Sequence, residues 1–347
     1  MLNELNDFLS YSLHCANLPD QHQRRADRQF SPFSLTINGH TQVDCEVLGV
    51  ITFTPVVKRK LQKHIVLSCG VHGNETAPME ICNQMIADIA NEHLMVNHPV
   101  MFMFGNLPAI AKQTRFIDEN LNRLFAAELD GEGDERVRAR ELMSEMARFF
   151  KHADDTDCGS KHHYDLHTAI RASKNEKFAV YPFTHGQAYN KQELQFMSDC
   201  GVNTILLSQG PTTTFSYYSS RYHDALSFTV ELGKVKRFGE NDMKKFEQVS
   251  TMLRHLIQDE VLALTPYSEC PLQIFKVNQV IKKYQDDFKL HFSDDTANFT
   301  DFKKGSVLAS ETGRQYVAEH EGEAIVFPNA DVAIGQRAML TVIPYEL

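Results

Sequence analysis

The stretch HIVLSCGVHGNETAPMEIC, residues 64–82, carries a strand, a loop and the start of a helix in immediate succession. His64-Ile65-Val66-Leu67-Ser68-Cys69 is a short apolar run of the kind that forms a buried strand, and Pro78 to His93 reads as a helix. Between them, on glycine-loosened backbone, His72 and Glu75 stand three residues apart. In an open α/β sheet, ligands bind beyond the carboxyl ends of the strands, and this is such an end. Zinc accepts both imidazole nitrogen and carboxylate oxygen, so His-x-x-Glu offers two ligands on one turn of chain, with a third to come from elsewhere. Taken alone, a pair of this kind is more often a solvated turn.

The pattern around the stretch sets the fold class. Apolar runs at Ile65 to Leu67, Val100 to Phe104, Phe178 to Tyr181, Thr204 to Leu207 and Leu226 to Val230 alternate with helical patterns at Pro78 to His93, Asp134 to Phe150 and Glu240 to Leu262. Such alternation predicts an α/β fold with a largely parallel or mixed central sheet flanked by helices. Ahead of it, Phe33 to Ile37 alternates apolar and polar, turns at Asn38-Gly39 and alternates again through Val43 to Phe53, which predicts a β-hairpin. After Leu264 the prolines Pro266 and Pro271 punctuate the chain, and strand-like runs follow at Leu272 to Val277 and Gln336 to Ile343, with Gly305, Gly313 and Gly322 between them. The expected division is an α/β domain over residues 1–265 and a smaller β-rich domain over residues 266–347.

Composition excludes several function classes. The 347 residues carry a formal net charge of −10, which argues against nucleic acid or an anionic membrane as partner, since both need clustered positive charge. An anionic small molecule must then be captured by local arginines. The N-terminal residues lack the basic and apolar regions of a secretory signal, and there is no membrane-length apolar run, so the cytoplasm is the expected location. Seven scattered cysteines without a Cys-x-x-Cys fit reduced thiols. Cys158 lies near His162 and His163 in sequence, but a loop cysteine beside solvated histidines is the simpler account than a Cys/His nucleophile.

Three further stretches carry candidate chemistry. In His163-Tyr164-Asp165-Leu166-His167, an extended chain puts His163, Asp165 and His167 on one face. His167 is the best third ligand and Asp165 a partner that orients a histidine, with His162 and His163 as rivals for the metal. Glu231 ends the apolar run Leu226 to Val230, either as a solvated strand end or as a partly desolvated general base. The stretch Thr114 to Phe125 reads as a loop. Its Arg115 and Arg123 either pair with Asp118 and Glu119 on the surface or grip a carboxylate ligand through their planar forks.

Taken in order, GVHGNET, RFIDENLNRLF, YDLHTAI and TVELG resemble the succinylglutamate desuccinylase and aspartoacylase branch of the zinc carboxypeptidase-like family, over the whole chain. The likeness is greatest to the desuccinylases. It implies one zinc per chain on His72, Glu75 and His167, with Glu231 as general base. It further implies Arg115 at the scissile carbonyl, and Asn122, Arg123 and Arg221 as holders of substrate carboxylates. The implied activity is hydrolysis of N-succinyl-L-glutamate to succinate and glutamate at the end of a bacterial arginine-degradation route, with the C-terminal domain narrowing the entrance. An aspartoacylase-like N-acyl amino acid hydrolase and a carboxypeptidase are the neighbouring alternatives. A non-catalytic metal-binding scaffold is the distant one, because no ligand or base is missing. A homo-oligomer is compatible with all of these.

Overall fold

The computed structural model describes residues 2–16, 30–57, 59, 62–154 and 159–347; Cys158, weighed above as a nucleophile, lies outside the described residues. The chain opens with α1 (Phe8–Cys15), β1 (Phe33–Ile37), β2 (Thr41–Cys45) and β3 (Val50–Pro55). Asn38 and Gly39 both have positive φ, 42° and 76°, and make the tight turn their sequence predicts. The alternation expected to run on to Phe53 is broken after Cys45, so the second arm is two antiparallel strands, β2 and β3.

The central part follows as β4 (Lys63–Cys69), α2 (Thr76–Ala90), β5 (Val100–Phe104), α3 (Leu107–Lys112), α4 (Asp134–Asp154), β6 (Ser160–Ala169), β7 (Phe178–Tyr181), α5 (Lys191–Asp199), β8 (Thr204–Leu207), α6 (Phe215–His223), β9 (Leu226–Lys234) and α7 (Glu247–Gln258). The helix expected over Glu240 to Leu262 is shorter at both ends. Asn241 spends its side chain on Thr76 and Glu80, and Asp259 is already extended. The β-rich remainder comprises β10 (Gln273–Lys282), β11 (Lys289–Leu290), β12 (Thr300–Phe302), β13 (Val307–Glu311), β14 (Arg314–Val317), β15 (Glu323–Val326) and β16 (Arg337–Pro344).

Thirteen strands form one mixed sheet in the order β1-β2-β3-β5-β4-β6-β9-β7-β8-β10-β16-β15-β12. The middle strands β5, β4, β6 and β9 run parallel, so their carboxyl ends open on the same edge. The expected α/β class with a mixed sheet and a β-rich C-terminal part is what the chain adopts. The sheet also continues from β8 into β10 through parallel pairing of Thr204 to Leu207 with Gln273 to Lys276.

Alternation along β6 and β9 decides what each face holds. Tyr164, Leu166, Phe228, Val230 and Leu232 enter the main apolar core, where full burial of one such side chain contributes roughly 1.5–3 kcal/mol. Their neighbours Asp165, His167, Thr229 and Glu231 therefore fall on the opposite face, and parallel register sets His167 beside Glu231.

Candidate active site

The loop from β4 to α2 is held tightly enough to place two side chains. A Cβ on Gly73 would lie 2.1 Å from the carbonyl carbon of Ala109, so the His72–Glu75 segment lies directly on the backbone of α3. Gly73 N–H also donates to Arg115 O at 3.2 Å. His72, Glu75 and His167, all buried, bring one ligand atom each within 4.8 Å of the others. This is the set of three that the resemblance implies.

Hydrogen-bond geometry defines which atoms face inward. Asn120 Oδ1 accepts from the backbone N–H of Asn122 at 3.0 Å and is therefore the oxygen end of that amide. His72 Nε2, 3.0 Å from the same oxygen, must be its protonated nitrogen. Burial pushes His72 down to about 4, so the ring is neutral and Nδ1 presents a lone pair. That lone pair lies 2.9 Å from Glu75 Oε1 without a hydrogen bond. Two acceptors turned toward each other in a buried pocket fit a cation between them. His167 differs in being hydrogen-bonded on both sides, with Nε2 2.8 Å from Asp165 Oδ2 and Nδ1 2.9 Å from Glu75 Oε2; burial lowers its pKa, but these two carboxylates outweigh burial and hold it well above its ordinary value. Asp165 and Asn120 thus hold the outer nitrogens of the two rings, the usual way a protein fixes metal-ligating histidines.

Glu75 is fully engaged. Arg115 Nη1 donates to its Oε1 at 2.7 Å, and Thr168 N–H donates to its Oε2 at 3.0 Å. Burial raises its pKa, but the protonated His167 and the donors around it outweigh burial and hold the carboxyl well below its ordinary value. Glu231 differs: its Oε2 is buried with no hydrogen-bond partner among the described residues. Burial, then the charge of Glu75, push it up to about 7.

The histidines considered as rival ligands are committed elsewhere. His163 lies between Ser68 Oγ at 2.8 Å and Ser219 Oγ at 2.7 Å. His162 faces the other side of the sheet, 2.7 Å from Ser160 Oγ and 3.2 Å from Glu193 Oε1. Nor do the loop arginines pair with Glu119, whose carboxylate takes Arg136 at 2.6 and 2.8 Å. Arg123 sits in a recess: it is accessible, yet protein walls it closely enough that lost hydration, and then the charge of Arg115, lower its pKa. Asn122 is buried, and its Oδ1 accepts from Phe215 N–H at 2.9 Å, which ties this loop to α6.

The remaining arginine, Arg221, is carried by α6. α6 runs back along β9, with Ser216 meeting Thr229 at 2.7 Å and Ser219 meeting Ser227 at 2.8 Å, so each turn leads away from Glu231. Arg221 lies beyond Ser219 and is exposed over the Tyr222 ring. Sequence reasoning passed over Asn120, which lies in the same loop motif as Asn122 and whose role depends on a three-dimensional hydrogen bond.

Fold and pocket together put the protein among mixed α/β proteins that gather ligand donors at the carboxyl ends of parallel strands. Residues 62–257 match the family described as succinylglutamate desuccinylase/aspartoacylase catalytic domain, and residues 270–345 match the AstE/AspA barrel-sandwich hybrid domain. The chain belongs to the succinylglutamate desuccinylase/aspartoacylase family. It is 53% identical over 322 residues to a succinylglutamate desuccinylase of Pseudoalteromonas atlantica, covering 91% of each chain. A succinylglutamate desuccinylase of Shewanella frigidimarina is 47% identical over 352 residues, with 99% of this chain and 98% of the relative covered. Among solved structures, succinylglutamate desuccinylase from Vibrio cholerae superposes with a TM-score of 0.87 at 34% identity, covering 98% of this chain and 96% of that one.

Proposed function

We propose that this protein is a zinc-dependent amide hydrolase that cleaves N-succinyl-L-glutamate to succinate and L-glutamate. On this reading it is a cytoplasmic enzyme closing arginine degradation by the succinyltransferase route. The observation that carries the proposal is the unpartnered Glu231 Oε2, buried beside three converging ligand atoms. A buried carboxylate oxygen without a donor costs stability, and a reacting water is the partner that gives it a purpose.

A zinc ion on His72, Glu75 and His167 would supply Lewis-acid polarisation of the scissile carbonyl and acidify the attacking water. The protein's own groups do the rest. Glu231 takes a proton from the water and returns it to the departing nitrogen. Arg115, fixed by Glu75, faces the developing oxyanion. Asn122, anchored through its oxygen, keeps its amide N–H donors for a substrate carboxylate, and Arg123 supplies the fork beside it. We infer further that residues 266–347 narrow the entrance to this pocket. The names of the relatives favour succinylglutamate over other acyl amino acids.

One preparation assayed with N-succinylglutamate, N-acetylaspartate and a C-terminal dipeptide tests the reading. N-succinylglutamate should give the highest kcat/KM by about tenfold or more, the usual yield of one additional charged contact. Preference for either rival substrate would move the enzyme to an aspartoacylase-like or carboxypeptidase activity, and no turnover of any would remove the enzyme reading.

A further inference from the structure

We propose that Arg337, from the β-rich C-terminal part, completes the substrate pocket and binds a substrate carboxylate together with Arg123. The inference rests on the amide-hydrolase reading and adds a residue that neither motif nor resemblance supplied.

The geometry runs through two rings and one pair of strands. Phe178 pairs with Glu231 in the antiparallel ladder of β7 and β9, so the two side chains share one face of the sheet. The Phe178 ring lies 5.6 Å from that of Phe327, in the segment before β16. Arg337, the first residue of β16, holds its guanidinium 5.6 Å from the centre of the Phe327 ring. The C-terminal part therefore delivers a cation to the Glu231 side of the sheet.

Among the described residues, its surroundings offer no counter-ion. Arg337 is half-buried, and burial followed by the charge of Arg123 pushes it down to about 9. Arg123 is in turn opposed by Arg115. Among the described residues, neither Arg123 nor Arg337 has a carboxylate partner, whereas Arg115 has Glu75. Like charges gathered in a recess repel, and burial strengthens the repulsion. An anion bridging the two guanidiniums removes it, and planar forks suit carboxylate oxygens. A purely structural role, a guanidinium resting on Phe327, would explain the ring contact but not the gathering of unpaired cations.

The test uses Arg337→Met, which keeps the stem over Phe327 without the charge, and Arg337→Lys, which keeps the charge without the fork. Both are checked for zinc content and thermal midpoint. Substrates are N-succinylglutamate and three analogues that each lack one carboxylate: N-butyrylglutamate, N-succinylglutamine and N-succinyl-4-aminobutyrate. Arg337→Met should lower kcat/KM for N-succinylglutamate by about 10- to 100-fold, mostly through KM, with Arg337→Lys between it and the parent protein. For one of the three analogues the substitution should change nothing, which identifies the carboxylate held. Equal losses on all substrates, or no loss on N-succinylglutamate, would overturn the assignment. If the parent protein hydrolyses none of them, the activity reading fails separately. Arg337 is then judged by calorimetric binding of succinate and glutamate: weakening in Arg337→Met supports it, and unchanged affinity, or no binding by the parent protein, overturns it.

Discussion

Glu231 and Glu75 are both buried carboxylates in one pocket, yet their partners push them in opposite directions. Glu75 is surrounded by two imidazoles, a guanidinium and a backbone N–H, and stays charged. Glu231 has an oxygen with no partner among the described residues and feels the negative charge of Glu75. Pairs of titratable groups whose environments separate them in this way mark ligand from base. Glu231→Gln keeps the shape and removes the proton acceptor. Turnover should fall by about a hundredfold or more while bound zinc stays at the parent level. Near-normal turnover would take the proton-transfer role away from Glu231, and lost zinc would make it a ligand instead.

At the scale of elements, the site depends on how closely the β4–α2 loop lies on α3. Gly73→Ala would set a methyl group against backbone atoms of Ala109 and Ile110 at 2.1 to 2.3 Å, and backbone cannot step aside as a side chain can. The loop must move, carrying His72 and Glu75 with it. The variant should bind zinc about tenfold or more weakly, the size of effect seen when ligand orientation is disturbed, and should melt earlier. Parent-like affinity and melting would mean that the loop can lift without cost. This dependence also explains what sequence could and could not reveal. Strand ends at Phe104, Tyr181 and Leu207 fall where their apolar runs stop, because burial on both faces leaves a continuous signal. His167 was legible because period two along β6 separates it from Tyr164 and Leu166. α3 was not anticipated: it is a single six-residue element capped by the Asn106 side chain, too short for periodicity to show.

For the whole molecule, the sheet joins the two family regions, and the pocket draws on both if Arg337 acts as proposed. Buried histidines set its acid response. Burial pushes His64, His98 and His163 each down to about 4. His98 Nδ1 accepts from Lys63 N–H at 3.2 Å, a bond that protonation would break. Each ring is neutral when folded but takes a proton below about pH 6.5 once unfolded, so the unfolded chain binds more protons between the two values. Their contribution to stability is therefore complete above about pH 6.5 and lost as pH falls toward 4. His98→Gln should show a shallower fall of its melting temperature than the parent protein across that window, and equal slopes would remove His98 from the account. The central claim is that one metal on His72, Glu75 and His167, served by Glu231, hydrolyses N-succinylglutamate. Its most direct test is titration of metal-depleted protein with zinc while succinate release is followed. Activity should rise from near zero and break at about one equivalent, with no rise in His167→Ala. Full activity in the metal-depleted protein, or a break at two equivalents, would contradict it.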